Sequence, residues 1–270
     1  LCDWAIGGGL PFGRFITISG EWSVGKSSLM WWIASRFLKH EAGGVYLFEG
    51  EGKPPLASHI SNLFGITDFS RINPGGFNPR DYHYLEDVLG KAEELAESQD
   101  SALLLIDSLA SFGTRQLKDG KDKGISEASQ PGQEAKKYTD FMTRGFYRTI
   151  SNKRIILLGI NQLRDNLKGY GEAKHEPGGN ALHYEASVEI RLKRGDLLQN
   201  SQKEIIGHVV KGVIRKNMIA PPHREFEIPF YYQSGWANEE SLIDKALDSK
   251  TLEMSGGWIK FQDQNYRRGD

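Results

Sequence analysis

Cysteine is nearly absent from this sequence of 270 residues, in which Cys2 is the only one. One cysteine excludes an internal disulfide, and such scarcity is typical of a protein that works in a reducing compartment. Long apolar runs are absent as well, so no segment is long enough to span a bilayer, and no N-terminal stretch has the pattern of a signal peptide. Internal repeats and low-complexity tracts are also missing.

An excess of charge of either sign is missing too, because 34 Lys and Arg residues face 35 Asp and Glu residues and the net charge is −1. This balance argues against binding nucleic acid through the whole surface, although it leaves room for a local basic groove. With 39% hydrophobic and 26% charged residues, the chain is long enough for one large domain, or for one domain and a small lobe. It begins without a methionine and ends at "YRRGD", which is typical of a fragment of a longer protein.

Strand-like and helical segments alternate over the first two thirds of the chain. Apolar runs such as "RFITISG", "ALLLID" and "IILLGINQ" are separated by amphipathic segments such as "SLMWWIASRFLKH" and "DYHYLEDVLGKAEELAES". This alternation predicts an α/β domain with a mostly parallel sheet, and the strand-rich sequence after residue 186 predicts antiparallel edge strands. We expect a core over 1–235 and the beginning of a small C-terminal lobe over 236–270, with a helix near 239–248.

The segment "GEWSVGKSS" (20–28) has the phosphate-loop pattern G-x-x-x-x-G-K-[ST] between a predicted strand and a predicted helix. In such a loop the glycines let backbone N–H groups close around phosphates, whose charge the helix N-terminus favours. Lys26 is expected to reach the β- and γ-phosphates, and Ser27 to bind Mg²⁺. The predicted ATP-binding residues are Gly20, Glu21, Trp22, Ser23, Val24, Gly25, Lys26, Ser27 and Ser28.

Acidic residues end two other predicted strands. Asp107 closes "LLLID", and an ionised carboxylate there is costly unless it meets a cation or a hydrogen-bond network. Beside a phosphate loop it is a candidate for holding Mg²⁺, with a helix or turn cap as the alternative. Glu49 and Glu51 in "LFEGEG" would share one face of a strand, so one could orient the attacking water while the other is structural. Their spacing does not choose between them.

The stretch "IILLGINQLRDNLKGYGEAKHEPGGN" (155–180) begins as a buried strand and continues as a long loop rich in Arg, Lys, Gly and Tyr. Loops longer than about a dozen residues are uncommon in compact domains unless they are functional. The loop is therefore a candidate binding element. For Asn161 and Gln162, at the end of the strand, polar capping is the alternative to a functional role.

Taken together, these motifs resemble those of the RecA family of recombinases. Besides the phosphate loop, the resemblance is carried by segments in the family's order and near its spacing, from residue 1 to about 260: "GGLPFGRFITISG", "LLLIDSLASF", "GINQLR", "PGGNALHYEASVEIRL" and "RKNMIAPPHREFEI". It implies a RecA-like ATPase core that uses ATP and Mg²⁺. Glu51 matches the family's catalytic glutamate, Asp107 its magnesium aspartate and Gln162 the glutamine that senses the γ-phosphate and shifts the following loop.

The resemblance also implies a DNA-binding surface. Residues 163–179 match the family's second DNA-binding loop, and 113–131 lie where the family has its first, although a solvated loop is the alternative there. Between these loops, residues 132–151 are predicted to form one helix, in which basic side chains at a helical spacing form a stripe beside an apolar stripe that is expected to be core. The predicted DNA-binding residues are Lys137, Arg144, Arg164, Lys168, Tyr170, Gly178, Gly179 and Asn180. A solvated face is the alternative for the basic stripe, and packing within the loop is the alternative for Tyr170.

Two further matches concern contacts between subunits. Tyr184 matches an aromatic residue that inserts into the neighbouring subunit, and Lys216 matches the first of two lysines that reach the neighbour's ATP. Met218 stands at the second lysine position. The family's N-terminal helix and strand and most of its C-terminal lobe have no counterpart here, and "GKPP" (52–55) departs from the usual continuation, so the adenine contacts are not placed. These departures fit a divergent member of the family, such as a viral one.

The sequence therefore predicts a DNA-dependent ATPase that forms filaments on single-stranded DNA and promotes pairing and strand exchange with homologous duplex DNA. We expect self-association, no membrane binding, and a location in the cytoplasm of a bacterium or a virus-infected host. One alternative is a ring-forming RecA-like helicase or motor. Another is a nucleotide-gated accessory protein that binds recombinase filaments. The "PGGNAL" segment and the strands after it favour the recombinase.

Overall fold

A computed structural model describes residues 1–52, 56–115, 133–165, 174–175, 179–256, 258–261 and 264–267. The strands of the central sheet are β1 (Arg14–Gly20), β2 (Gly44–Glu49), β3 (Ser101–Asp107), β4 (Arg154–Gln162), β7 (Val188–Gln199), β8 (Ile205–Asn217), β9 (Glu225–Tyr231) and β10 (Gly235–Trp236). They lie in the order β10-β9-β8-β7-β1-β4-β3-β2. Two short strands, β5 (Arg164–Asp165) and β6 (Lys174–His175), pair with each other as an antiparallel ribbon outside this sheet.

The sheet is parallel at its centre and antiparallel at one side. Strands β2, β3, β4, β1 and β7 are parallel to one another, whereas β8, β9 and β10 continue the sheet from β7 in antiparallel pairing. The parallel strands are apolar runs because both of their faces are covered, and seven consecutive residues of β4 are buried. The predicted α/β fold class, with a mostly parallel sheet and antiparallel edge strands, is confirmed.

Helices cover both faces of the sheet. They are α1 (Cys2–Ile6), α2 (Lys26–His40), α3 (Ala57–Phe64), α4 (Leu85–Ser98), α5 (Gln133–Phe141), α6 (Tyr147–Ile150), α7 (Gly179–Glu185) and α8 (Asn238–Asp248). One core cluster joins α1, α2 and α3 to inward residues such as Ile16 and Ile18 of β1. A second cluster joins α4, α5 and α6 to the opposite face, where Phe15 lies. The alternation of β1 residues between these clusters follows the period of a strand.

The segment predicted as one continuous helix over residues 132–151 is interrupted. A π-helical turn, Met142–Phe146, separates α5 from α6, and Gly145 within it has a non-helical φ of 178°. The apolar stripe of this segment is core, as predicted, because its four members are all buried: Tyr138, Met142, Phe146 and Ile150. The basic stripe is not continuous, since the turn changes the helical phase between Lys137 and Arg144.

The chain after β10 forms the predicted helix and a small sheet that was not predicted. Helix α8 is followed by a small antiparallel sheet of β11 (Glu253–Ser255), β12 (Trp258–Phe261) and β13 (Gln264–Arg267). Among the described residues, the structure has no helix that combines the length and the apolar character needed to cross a membrane.

Candidate functional site

The phosphate-loop motif connects the end of β1 at Gly20 to the start of α2 at Lys26. Gly25 has a φ of +101°, a conformation that residues with a side chain rarely adopt, and a Cβ there would lie 3.4 Å from the Trp236 ring. The Lys26 ammonium donates a hydrogen bond to the Glu21 carbonyl at 2.6 Å. Burial lowers the pKa of Lys26, although nearby carboxylates, led by Asp107, oppose the shift. The loop thus surrounds the Lys26 ammonium, a cation that is largely removed from solvent.

Ser27 and Asp107 meet at the floor of this site. The Ser27 hydroxyl donates to Asp107 Oδ2 at 2.9 Å. Burial raises the pKa of Asp107 to about 6, because the Ser27 hydrogen bond and the Lys26 charge do not offset desolvation and the charges of Glu51 and Glu49. A hydroxyl and a desolvated carboxylate are hard oxygen donors, and a cation there would favour the ionised acid. The two residues therefore fit Mg²⁺.

Glu49 and Glu51 occupy different environments. Strand β2 ends at Glu49, which is buried, so the expectation that both glutamates share one strand face is wrong. Glu51 lies beyond the strand and is exposed, and its backbone N–H donates to Glu49 Oε1 at 2.9 Å. The buried Glu49 carboxylate therefore fixes the position of the backbone at the exposed Glu51.

Gln162 joins β4 to this acidic pair. Its Nε2 donates to Glu51 Oε1 at 2.5 Å. Gln162 lies opposite Gly20 in the β1–β4 register, and the N–H of Leu163 donates to the Gly20 carbonyl at 3.1 Å. The end of β4 is therefore joined to the phosphate loop by one backbone hydrogen bond and to Glu51 by one side chain.

These predicted residues meet because parallel strands place their carboxyl ends at one edge of the sheet. Strands β2, β3, β4 and β1 are adjacent in that order. Their ends carry Glu49, Asp107, Gln162 and the phosphate loop respectively. A cavity of about 200 Å³ beside the loop is lined by Ser27, Asp107 and Glu51 together with residues of α2 and α3.

The predicted DNA-binding residues are only partly described. Lys137 pairs with Glu86 at 3.2 Å, and the exposed Arg144 pairs with Asp140 at 3.4 Å. Arg164 lies in β5, opposite His175. Gly179 and Asn180 are the first residues of α7. Lys168, Tyr170, Gly178 and residues 116–131 of the first predicted DNA-binding loop lie outside the described residues.

Lys216 is not at the phosphate loop of its own chain. It lies opposite Glu189, whose parallel partner is Thr17, three residues before the end of β1. The Lys216 ammonium donates to the carbonyls of His183 and Tyr184, at 2.7 and 2.8 Å. These are carbonyls of the last turn of α7, where a cation is favourable. The Tyr184 side chain is 71% exposed.

Two contacts of the phosphate loop were not predicted from the sequence. Arg194 in β7 donates to the Ser23 carbonyl at 2.7 Å. Trp236 in β10 donates from Nε1 to the Ser28 carbonyl at 3.2 Å. No local motif marks these residues, since both are far from the loop in sequence and reach it only through the edge of the sheet.

The sheet carries a phosphate loop after β1 and a partly buried Asp at the end of β3, and the polar Gln162 ends β4, the strand between them. These features define the phosphate-loop class of nucleotide-binding proteins. The model of one family, the RecA N-terminal domain, matches residues 1–237. The chain belongs to the RecA family, and the resemblance seen in the sequence is confirmed.

Relatives in several bacteria are similar over nearly the whole chain. Protein RecA of Campylobacter jejuni is 29% identical over 271 residues, which cover 99% of this chain and 74% of the relative. Protein RecA of Helicobacter pylori is 30% identical over 275 residues, with the same coverage. Protein RecA of Ruminococcus albus is 30% identical over 274 residues, covering 100% of this chain and 64% of the relative.

Proposed function

We propose that this chain is a DNA-dependent ATPase that assembles into helical filaments on single-stranded DNA and promotes homologous pairing and strand exchange. The observation that carries the proposal is the meeting of Lys26, Ser27, Asp107, Glu51 and Gln162 at one edge of the sheet of a RecA-family chain. Family membership also favours this function over a ring-forming motor or an accessory protein.

ATP is the proposed substrate, and its phosphates would lie in the phosphate loop. Ser27 and Asp107 would hold Mg²⁺, which when bound neutralises charge on the phosphate oxygens. The Lys26 ammonium would leave the Glu21 carbonyl for a phosphate oxygen, because an anion is the stronger acceptor. Of the described residues, no group of three or more His, Cys, Asp or Glu could hold a metal ion. Mg²⁺ needs few protein ligands at such a site, because the phosphates and water supply the others.

Glu51 is the proposed general base. It is exposed, whereas Glu49 is buried and accepts the backbone N–H of Glu51. A base must be within hydrogen-bond reach of the water that it activates, so the exposed carboxylate suits the role and the buried one suits support. The Gln162 amide donates to Glu51 in this structure. If that amide turned to a γ-phosphate, Glu51 would be released to accept a proton from water, which links sensing to catalysis.

The ATP site is proposed to lie between subunits. Lys216 would supply positive charge to the neighbour's γ-phosphate, as an arginine finger does in trans, and the exposed Tyr184 would contact the neighbour. In this conformation Lys216 caps α7, so engagement with a neighbour requires it to leave the His183 and Tyr184 carbonyls. Helix α7 directly follows the predicted second DNA-binding loop. Subunit contact and DNA binding would therefore influence the same helix.

DNA is proposed to bind through Lys137, Arg144 and the loop between β4 and α7, including Arg164, Lys168 and Tyr170. Local cations are sufficient for this, because binding to phosphates depends on the charges that face the strand. We further propose that the ATPase core ends near residue 235, where β10 closes the central sheet, and that a small lobe begins with α8.

The direct test is ATP hydrolysis with and without single-stranded DNA. We expect hydrolysis that DNA stimulates, and we expect Lys26→Ala to abolish it while circular dichroism shows an intact fold. Full ATPase activity in the purified Lys26→Ala variant would overturn the assignment of the phosphate loop.

The shared site is tested by mixing Lys216→Ala subunits with Glu51→Gln subunits. Each variant alone should lack DNA-stimulated activity, and the mixture should recover part of it, because some interfaces would carry both intact residues. Lys211→Ala, on the same strand and paired with Glu227 at 3.0 Å, is the matched control and should behave as wild type. A mixture no more active than its separate components would contradict catalysis in trans.

A further inference from the structure

We propose that Arg194 is a positioning residue of the phosphate loop, which it holds in its phosphate-receiving conformation through the Ser23 carbonyl. The inference rests on the proposed nucleotide site. It assigns to the antiparallel edge of the sheet a role in nucleotide affinity.

The contact is made at a strained point of the loop. Arg194 Nη2 donates to the Ser23 carbonyl oxygen at 2.7 Å, although the two residues are 171 positions apart in the chain. Ser23 has a φ of +54°, in the left-handed region that non-glycine residues rarely occupy. Such a conformation persists only where the surroundings hold it. The guanidinium supplies such a hold from outside the loop.

The register of β7 against β1 places Arg194 beside the phosphate loop. Leu192 pairs with Gly20, the last residue of β1, so Arg194 lies two residues beyond the end of that strand, beside the loop. It lies on the same face as the buried Ile190 and Leu192, which pack under α2. The pairing with β8 then changes register between Arg194 and Leu197. A bulge of this kind bends a strand and changes the direction of its side chains.

The end of the loop at Gly25 is held by packing, whereas its tip, residues 21–23, is not packed in this way and is contacted by Arg194. A Cβ on Gly25 would lie 3.4 Å from Trp236 and 3.6 Å from Val210, so this part of the loop packs against β8 and β10. The tip, by contrast, is exposed from Glu21 to Ser23. Its carbonyls accept side-chain hydrogen bonds from Lys26 and from Arg194.

Of these two hydrogen bonds to the tip, we expect one to break and the other to persist when a nucleotide binds. On the proposed function, the Lys26 ammonium turns from the Glu21 carbonyl toward a phosphate, the stronger acceptor, whereas Arg194 keeps its bond to the Ser23 carbonyl. Arg194 is therefore the contact that maintains the tip while the phosphates are bound. Its guanidinium also places positive charge beside the loop.

The test compares Arg194→Ala with Lys193→Ala, which removes the same charge from the adjacent, exposed position on the opposite face of β7. Binding of a mant-labelled ADP with Mg²⁺ should weaken about tenfold in Arg194→Ala. Lys193→Ala should stay within about twofold of wild type, and Arg194→Lys should keep most of the affinity because it retains a charged donor.

Amide hydrogen exchange without nucleotide separates positioning from charge. Exchange in a peptide that covers 20–25 should accelerate in Arg194→Ala relative to a β3 peptide (101–107), and should not accelerate in Lys193→Ala. Unchanged affinity, reduced affinity with unchanged loop exchange, or equal acceleration in both peptides would each overturn the inference. Failure of the wild-type protein to bind the nucleotide would instead contradict the proposed function, since the exchange measurement needs no nucleotide.

Discussion

Replacement of Asp107 by Asn should make the nucleotide-free protein more stable at neutral pH while removing its response to Mg²⁺. Asp107 closes β3, with Ser27 as its hydrogen-bond donor, and burial raises the pKa of its carboxyl to about 6 from an ordinary value of 3.8. An acid whose pKa is higher in the folded state favours folding when it is protonated. The stability is fully present below about pH 4 and is lost as the pH rises through about 6.

The size of the effect follows from the shift in pKa. At about 1.36 kcal/mol for each pKa unit, the ionised carboxylate destabilises the folded protein by about 3 kcal/mol at pH 8. At about pH 5 the group is mostly protonated in the folded state, and the same relation gives about 1.5 kcal/mol. Asparagine carries no charge at either pH and can still accept the Ser27 hydrogen bond. Asp107→Asn should therefore be the more stable protein, by an amount that shrinks on acidification.

Urea denaturation of both proteins at the two pH values measures this difference. Asp100→Asn is the matched control, because Asp100 immediately precedes the same strand and its side chain is fully exposed. Mg²⁺ with ADP should stabilise the wild-type protein and not Asp107→Asn, since ligand binding to the folded state alone raises its stability. The account is refuted if Asp107→Asn is less stable than wild type at pH 8, or if the difference does not depend on pH.

Three further predictions concern catalysis and DNA. Glu51→Gln should lower kcat for ATP hydrolysis by about 100-fold or more while nucleotide and DNA binding persist, and Glu49→Gln should lower kcat less. A larger loss in Glu49→Gln in steady-state assays would show that the wrong carboxylate was chosen. Gln162→Ala should preserve ATP affinity in the absence of DNA, but its DNA affinity should no longer depend on whether ADP or an ATP analogue is bound. A DNA titration with each nucleotide measures this, and a dependence equal to that of wild type would argue against the sensor role. Arg144→Ala should reduce the slope of log K for single-stranded DNA against log salt by about 1, because one phosphate contact is lost. Lys39→Ala, on the exposed face of α2, is the control and should keep the wild-type slope. The same slope in the two variants would remove Arg144 from the DNA site.

Local requirements made part of this structure predictable from the sequence. The phosphate loop needs glycine and lysine at fixed spacing, and a buried parallel strand needs a continuous apolar run, so both are visible in one segment each. Asp107 was identifiable because a carboxylate at the end of such a run needs a partner, which the structure supplies as Ser27. Their meeting followed from the common direction of parallel strands.

The remaining features depend on contacts between distant segments. The spacing of Glu49 and Glu51 could not show that β2 ends between them, and that end decides which carboxylate is buried. Likewise, the helical period over residues 132–151 could not show the π-helical turn that changes the phase of the basic residues. Arg194 carries no motif at all. It acts on the phosphate loop only because β7 pairs with β1, which no single segment encodes.

Electron microscopy of the protein with single-stranded DNA and a non-hydrolysable ATP analogue tests the central claim most directly. A recombinase whose ATP site lies between subunits should form open helical filaments on the DNA, and these should be absent without nucleotide. Closed rings would indicate a helicase-like motor, and the absence of any assembly would indicate an accessory protein; either result would contradict the proposed function.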